Sequence, residues 1–142
     1  MIEKVVHPYN LQKALEQVIS NKGSAGVDGI KTSQLKMLFP ERKEQLLEAI
    51  RQGNYLPQAI LGVEIPKGNG KTRLLGVPTT TDRVLQQALG QVIAPLFEPE
   101  FKDNSFGFRP NKNARQAVGQ AREYIHQGLN HIVDIDLKNF FD

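Results

Sequence analysis

Leu11, Ala14, Leu15, Val18 and Ile19 recur at the spacing that puts apolar residues on one side of a helix, with polar residues between them. Asn10 stands in front as an N-cap type and Gly23 interrupts the pattern, so an amphipathic helix is expected over that stretch. NKGSAGVDGI follows, with three glycines and an Asp-Gly step, and predicts a loop with positive-φ positions. Thr32 then suits the cap of a short helix over Leu35 and Leu38. Pro40 suits the first position of a further helix that turns Leu46, Leu47 and Ile50 inward and stops at Gly53.

The period then changes. Leu61, Val63 and Ile65 alternate with other residues, as do Leu75 and Val77, and PKGNGK between them holds an Asn-Gly turn signal, so a β-hairpin is expected from about Ile60 to Pro78. The threonines before Asp82, or Asp82 itself, start a long helix whose apolar set runs from Val84 and Leu85 to Leu96 and Phe97. That set is broad enough for a central core helix, with Pro95 bending or ending it. An irregular stretch, EPEFKDNSFGFRPNK, leads to a helix with Ala114, Ala117, Val118, Ala121 and Ile125 facing inward. Gly128 ends it, and an apolar strand begins near His131. Helices, a hairpin, helices and a strand make an α+β arrangement in one domain over residues 1–142.

Composition removes several chemistries. Without cysteine there is no disulfide, thiolate metal site or cysteine nucleophile, and the three histidines are scattered, so any metal must sit on oxygen ligands, which favours Mg²⁺ or Mn²⁺. No apolar run approaches the length of a membrane span and the N-terminus lacks a signal-peptide core, which points to a cytoplasmic protein without a membrane partner. A net charge of +3 permits an anionic partner. The placement of the cations says more: Lys67, Lys71, Arg73 and Arg83 fall on one short stretch.

Three segments carry candidate chemistry. HIVDIDLKNFFD sets Asp134 and Asp136 on one face of the expected strand, opposite Val133, Ile135 and Leu137. Two such carboxylates repel each other unless water, a cation or a metal intervenes, and by themselves they describe a solvated face. In the hairpin, Gly70-Lys71-Thr72 resembles the end of a phosphate-binding GxxxxGK[ST] loop, but the first glycine would fall at Ile65, so that motif is rejected. What is left is a turn whose Lys67, Lys71 and Arg73 could meet phosphates as point charges and a planar fork, or simply be solvated. In SFGFRP the expectation is structural: Phe106 and Phe108 packed at a helix entrance, with Arg109 in a salt bridge.

Taken in order, NKGSAGVDGI, PKGNGKTRLLGVPTTTDRVLQQA, NSFGFRPNKNARQAV and VDIDLKNFFD resemble the N-terminal part of a bacterial group II intron-encoded reverse transcriptase, or maturase. The resemblance implies the helix-rich fingers and the first palm strand of a right-hand polymerase: an N-terminal helix and lid loop at 1–32, fingers at 33–130, and the start of the palm at 131–142. It places the first catalytic aspartate at Asp136, which with the backbone carbonyl of Leu137 would bind Mg²⁺. Lys67 and Arg73 would hold the incoming triphosphate. Phe141 would lie beneath its sugar and select deoxynucleotides. Val77 and Pro78 would pack against the templating base, and Lys22, Gly23 and Ser24 would begin a lid over the RNA template. The implied partners are RNA template and intron RNA, a DNA primer and deoxynucleoside triphosphates. The implied function is RNA-templated DNA synthesis in intron splicing and mobility.

Two departures qualify the match. Leu74 stands where the family commonly has proline, in RPLGIP, and no counterpart of the YxDD motif is present, so the chain by itself is expected to be inactive. Retron, diversity-generating and CRISPR-associated reverse transcriptases, and an RNA-binding module without chemistry, are the competing readings. An unpaired strand carrying Val133, Ile135 and Leu137 also suggests self-association as a homodimer.

Overall fold

Pro8 fixes the start of the first long helix, in a computed structural model that describes residues 1–68 and 70–137. A short helix, α1 (Ile2–Val5), precedes it, and α2 runs Pro8–Ser20. Proline suits the first helical position because that amide has no intrahelical partner. His7 caps the end, its Nδ1 accepting from the Tyr9 amide at 3.3 Å. The helix therefore begins before the expected Asn10. The Asn10 side chain instead donates to the carbonyls of Val5 and Ala88, both at 2.9 Å, and accepts from Gln91 at 2.7 Å.

A 3₁₀ turn (Thr32–Gln34) runs directly into α3 (Leu35–Arg51). The expected break at Pro40 does not occur, and proline is carried inside the helix. Leu35, Phe39 and Leu47 are all buried, so burial on both sides of Pro40 outweighs the hydrogen bond that proline cannot make. Gly53 ends α3 as expected, at φ +71°, with its amide on the Ile50 carbonyl and the Asn54 amide on that of Ala49.

β1 (Leu61–Lys67) and β2 (Lys71–Val77) pair antiparallel, Leu61 opposite Val77 and Lys67 opposite Lys71, as the alternation predicts. α4 (Thr80–Phe97) follows. Its Val84 and Ala88 are fully buried and Leu85 and Val92 partly so, but Leu89, Leu96 and Phe97 are exposed, so only one side of the helix serves the core. That core joins Val5, Leu11, Ala14, Leu15, Val18, Leu35, Phe39, Leu47, Val84 and Ala88 from α1 to α4 with Val6, which follows α1. Burying a leucine such as Leu11, 1% exposed, contributes about 1.5–3 kcal/mol.

The chain divides into two units, Met1–Leu96 and Phe97–Asp142. The second holds a 3₁₀ turn (Glu98–Glu100) and α5 (Ala114–His126). Asn113 and Gln116 cap α5 reciprocally, at 3.0 and 2.8 Å. Gly128, at φ +88°, closes it. The expected inward face of α5 is not buried: Val118 and Ile125 are exposed, and among the described residues this unit offers no second layer to cover them. Nor do residues 131–137 form the expected strand, and Ile135 is 84% exposed. A strand needs a neighbour for its backbone N–H and C=O groups, and among the described residues the only sheet is the hairpin. The strand edge behind the expected homodimer is accordingly not formed there.

Candidate functional site

Antiparallel register decides which hairpin side chains share a face. Leu61, Val63, Ile65 and Lys67 lie on one side with Lys71, Arg73, Leu75 and Val77, while Glu64 lies on the other with Thr72 and Leu74. The two residues expected to hold a triphosphate, Lys67 and Arg73, are thus diagonal neighbours on one face, with Lys71 completing an exposed cationic group at the tip. No carboxylate of the hairpin shares that face. Arg83 does not join them. Its guanidinium donates to the Ser24 carbonyl, so three of the four cations on that stretch of sequence share the hairpin face.

Ser24 belongs to the glycine-rich loop, which is seated against the exit of the hairpin. A Cβ on Gly26 would fall 2.7 Å from the Thr79 Cα, 2.8 Å from its N and 2.9 Å from the Pro78 carbonyl carbon. Only glycine permits so close a backbone approach. The loop that carries Lys22, Gly23 and Ser24 is thereby brought against the segment that carries Val77 and Pro78, the two sets expected to meet template. Beside it opens a cavity of about 630 Å³ lined by Ile19, Lys22, Gly23, Ala25, Lys31 and Ser33 among others, with two lysines and no carboxylate. Lys31 carries no local signal in the sequence, where nothing distinguishes it from any solvated lysine.

Asp82, which the sequence marks only as a helix-start residue, proves to be a hub. It is 4% exposed. Its Oδ2 accepts from the Thr79 hydroxyl at 2.7 Å and the Gln58 amide at 3.2 Å, its Oδ1 accepts from the Tyr55 hydroxyl, and its own amide donates to Thr79 Oγ1 at 3.2 Å. The Thr79-x-x-Asp82 spacing is the sequence signal for the capping part.

Burial, then the hydrogen bond to Asp82 and its charge, hold the Tyr55 phenol above the ordinary tyrosine value of 10.0. Because the folded value lies above the unfolded one, this contribution to stability is complete below about pH 10 and drains away as the pH climbs through the folded value. Above about pH 10 the urea midpoint of the protein should therefore fall more steeply than that of Tyr55→Phe. Parallel curves would show that the phenol does not meet the carboxylate in solution.

In the second unit, Arg109 has the structural role expected of it. Its side chain, 9% exposed, bonds Glu98 Oε1 at 3.0 and 2.8 Å and the carbonyls of Lys102 and Ser105 at 2.6 and 3.0 Å. It also lies 5.2 Å over the Phe101 ring. Lys112 covers Phe106 in the same way at 5.3 Å, whereas Phe108 is exposed. Asp134, Asp136 and Leu137 are exposed, and Asp136 Oδ1 accepts from the Leu137 amide at 2.9 Å. Phe141 and Asp142 lie outside the described residues. The oxygen donors near Asp136 have the right chemistry for a hard cation, but among the described residues no three acidic or histidine side chains come together, so the set is incomplete.

Residues 65–142 match the family model described as reverse transcriptase (RNA-dependent DNA polymerase). Over its whole length the chain is similar to protein YkfC of Escherichia coli (strain K12), 29% identical and spanning 39% of that protein. Over 91% of its length it is similar to the group II intron-encoded protein LtrA of Lactococcus lactis subsp. cremoris, 32% identical and spanning 21% of it. The chain thus covers about two-fifths or less of the length of these relatives. Among the described residues no helix is long and apolar enough to cross a membrane. The matched stretch takes in more than half of the chain, including the hairpin cations and Asp136, and the chain belongs to the reverse transcriptase (RNA-dependent DNA polymerase) family.

Proposed function

We propose that the chain supplies the fingers and the start of the palm of a cytoplasmic RNA-directed DNA polymerase of the group II intron type, acting in RNA-templated DNA synthesis, intron splicing and mobility. Residues 1–32 form the N-terminal helix and lid loop, 33–130 the fingers and 131–142 the start of the palm. The partners are RNA template and intron RNA, a DNA primer and deoxynucleoside triphosphates. The observation that carries this reading is the shared face of Lys67, Lys71 and Arg73 on a hairpin whose exit is packed against the glycine loop.

Each residue has a chemical task in that reading. Lys67 meets the triphosphate as a point charge and Arg73 as a bidentate fork, fixing its orientation. Val77 and Pro78 offer an apolar surface for the templating base. Lys22, Gly23 and Ser24 offer a cation and backbone amides to the template's phosphates. Phe141 closes the space a ribose 2′-hydroxyl would need. Asp136 and the Leu137 carbonyl would take part in holding Mg²⁺, which when bound activates the attacking 3′-hydroxyl and neutralises charge on the departing pyrophosphate.

Removing a charge-assisted hydrogen bond costs about 1.5–3 kcal/mol, so Arg73→Ala in the full-length protein should raise the KM for deoxynucleotides roughly 10- to 100-fold. Affinity for RNA should stay within about twofold, since the guanidinium serves the nucleotide and not the template backbone. Steady-state primer extension and filter binding measure the two. An unaltered KM would refute the triphosphate role.

A further inference from the structure

A two-stranded ribbon is marginal alone in water, and this one has little to lean on, with Leu61, Val63, Leu74 and Leu75 all exposed. Whatever aims it must therefore act at its base. Leverage makes the aim sensitive. Strands of seven residues at about 3.3 Å per residue reach roughly 20 Å, so a tilt of about 10° at the base moves the tip by roughly 3–4 Å. That exceeds the tolerance of a hydrogen bond to phosphate.

Both legs of the ribbon end on one oxygen. Gln58 precedes β1 and Thr79 follows β2, and the Gln58 amide and the Thr79 hydroxyl both donate to Asp82 Oδ2, at 3.2 and 2.7 Å. The second oxygen takes the Tyr55 hydroxyl from the segment leading into β1. Capping α4 would need Thr79 alone. Tyr55 and Gln58 lie 27 and 24 residues away along the chain, and their convergence on the same buried carboxylate goes beyond what a helix end requires. The carboxylate itself sits in the first turn of α4, whose Val84 and Ala88 anchor it to the core.

We propose that Asp82 is the positioning residue of the hairpin: by holding the entry of β1 and the exit of β2 on a single carboxylate, it sets the pose in which Lys67 and Arg73 meet their ligand. The proposal rests on the triphosphate reading given above for those two cations.

Asp82→Asn in the full-length protein keeps the shape and replaces one acceptor by a donor that faces other donors. Loss of such a bond corresponds to about a tenfold or greater rise in local opening, so amide exchange across 61–77 should accelerate by about that factor while the core amides of α2 and α4 stay protected. The KM for deoxynucleotides should rise about fivefold or more with kcat and RNA affinity within about twofold, a split that a general loss of stability does not produce. Unchanged hairpin exchange overturns the proposal. Faster exchange with a raised KM in Arg73→Ala but not in Asp82→Asn overturns the positioning role alone. Faster exchange with KM unchanged in both variants overturns the triphosphate reading beneath it. Should Asp82→Asn fail to fold, Tyr55→Phe removes one donor from the same carboxylate. Faster exchange at the start of β1 with a higher KM then supports the role, and unchanged values of both overturn it.

Discussion

Gly26→Ala is expected to destabilise the protein by about 3 kcal/mol, at the upper end of what overpacking costs, and to lower the thermal midpoint by roughly 10 °C. The reason lies in what the added methyl group meets. All three of its nearest neighbours are backbone atoms of Pro78 and Thr79, closer than 3.0 Å, and Thr79 is the residue whose hydroxyl caps α4 and bonds Asp82. Relief would require moving the helix end or lifting the loop. Two neighbouring glycines separate this cause from others. At Gly29 the space is open but φ is +67°, so alanine should cost only about 1 kcal/mol from backbone conformation. At Gly23 the methyl meets the guanidinium of Arg83, the far end of a flexible side chain, which can swing aside at little cost to stability but would release the Ser24 carbonyl. Thermal melts of the three variants should rank Gly26 well above Gly29 and Gly29 above Gly23. Equal and small effects would mean that the loop is not seated on the hairpin exit in solution.

That ranking shows where the sequence is legible and where it is silent. The hairpin could be read because its signals are local: alternation in Leu61, Val63 and Ile65, and glycines at the turn. The buried stripe of α2 could be read because helical spacing is also local. Pro40 misled, because the packing of Leu35 and Phe39 before it and Leu47 after it is tertiary and outweighs a backbone preference. The 131–137 segment misled in the opposite sense. Its alternation is that of a strand, but a strand exists only with a partner, and pattern cannot supply one. The interactions that organise the candidate site were out of reach for the same reason: Arg83 meets Ser24 across 59 residues, and Asp82 meets Tyr55 across 27. A capping pattern marked Asp82, but only the fold shows that the Tyr55 hydroxyl and the Gln58 amide also donate to its carboxylate. Among the glycines of the loop, nothing in their order tells which one bears the close approach.

Asp136→Asn is expected to have the largest effect on activity, a fall in kcat of about 10³-fold or more with almost no effect on stability. Stability should hold because Asp136 is exposed, has no salt-bridge partner among the described residues, and bonds only the amide that follows it, which asparagine can still do. A surface change of that kind is ordinarily within about ±0.5 kcal/mol. In the role proposed for it, the activity should collapse because the Asp136 carboxylate would help hold the Mg²⁺ whose positive charge is needed where the attacking hydroxyl loses its proton and pyrophosphate departs. Withdrawing one donor aimed at such developing negative charge typically costs about 10²–10³ in kcat, and here a ligand for the cation that would neutralise it is lost. Asp134→Asn is the internal control, because it deletes a neighbouring exposed carboxylate and with it a similar share of the local field. If Asp136 acts by its position and not by general negative charge, the Asp134 variant should retain activity within about tenfold while the Asp136 variant does not. Single-nucleotide extension at saturating deoxynucleotide, run on both variants of the full-length protein beside their thermal midpoints, makes the comparison. Equal losses in the two would assign the effect to the electrostatics of the segment and remove Asp136 from the reaction.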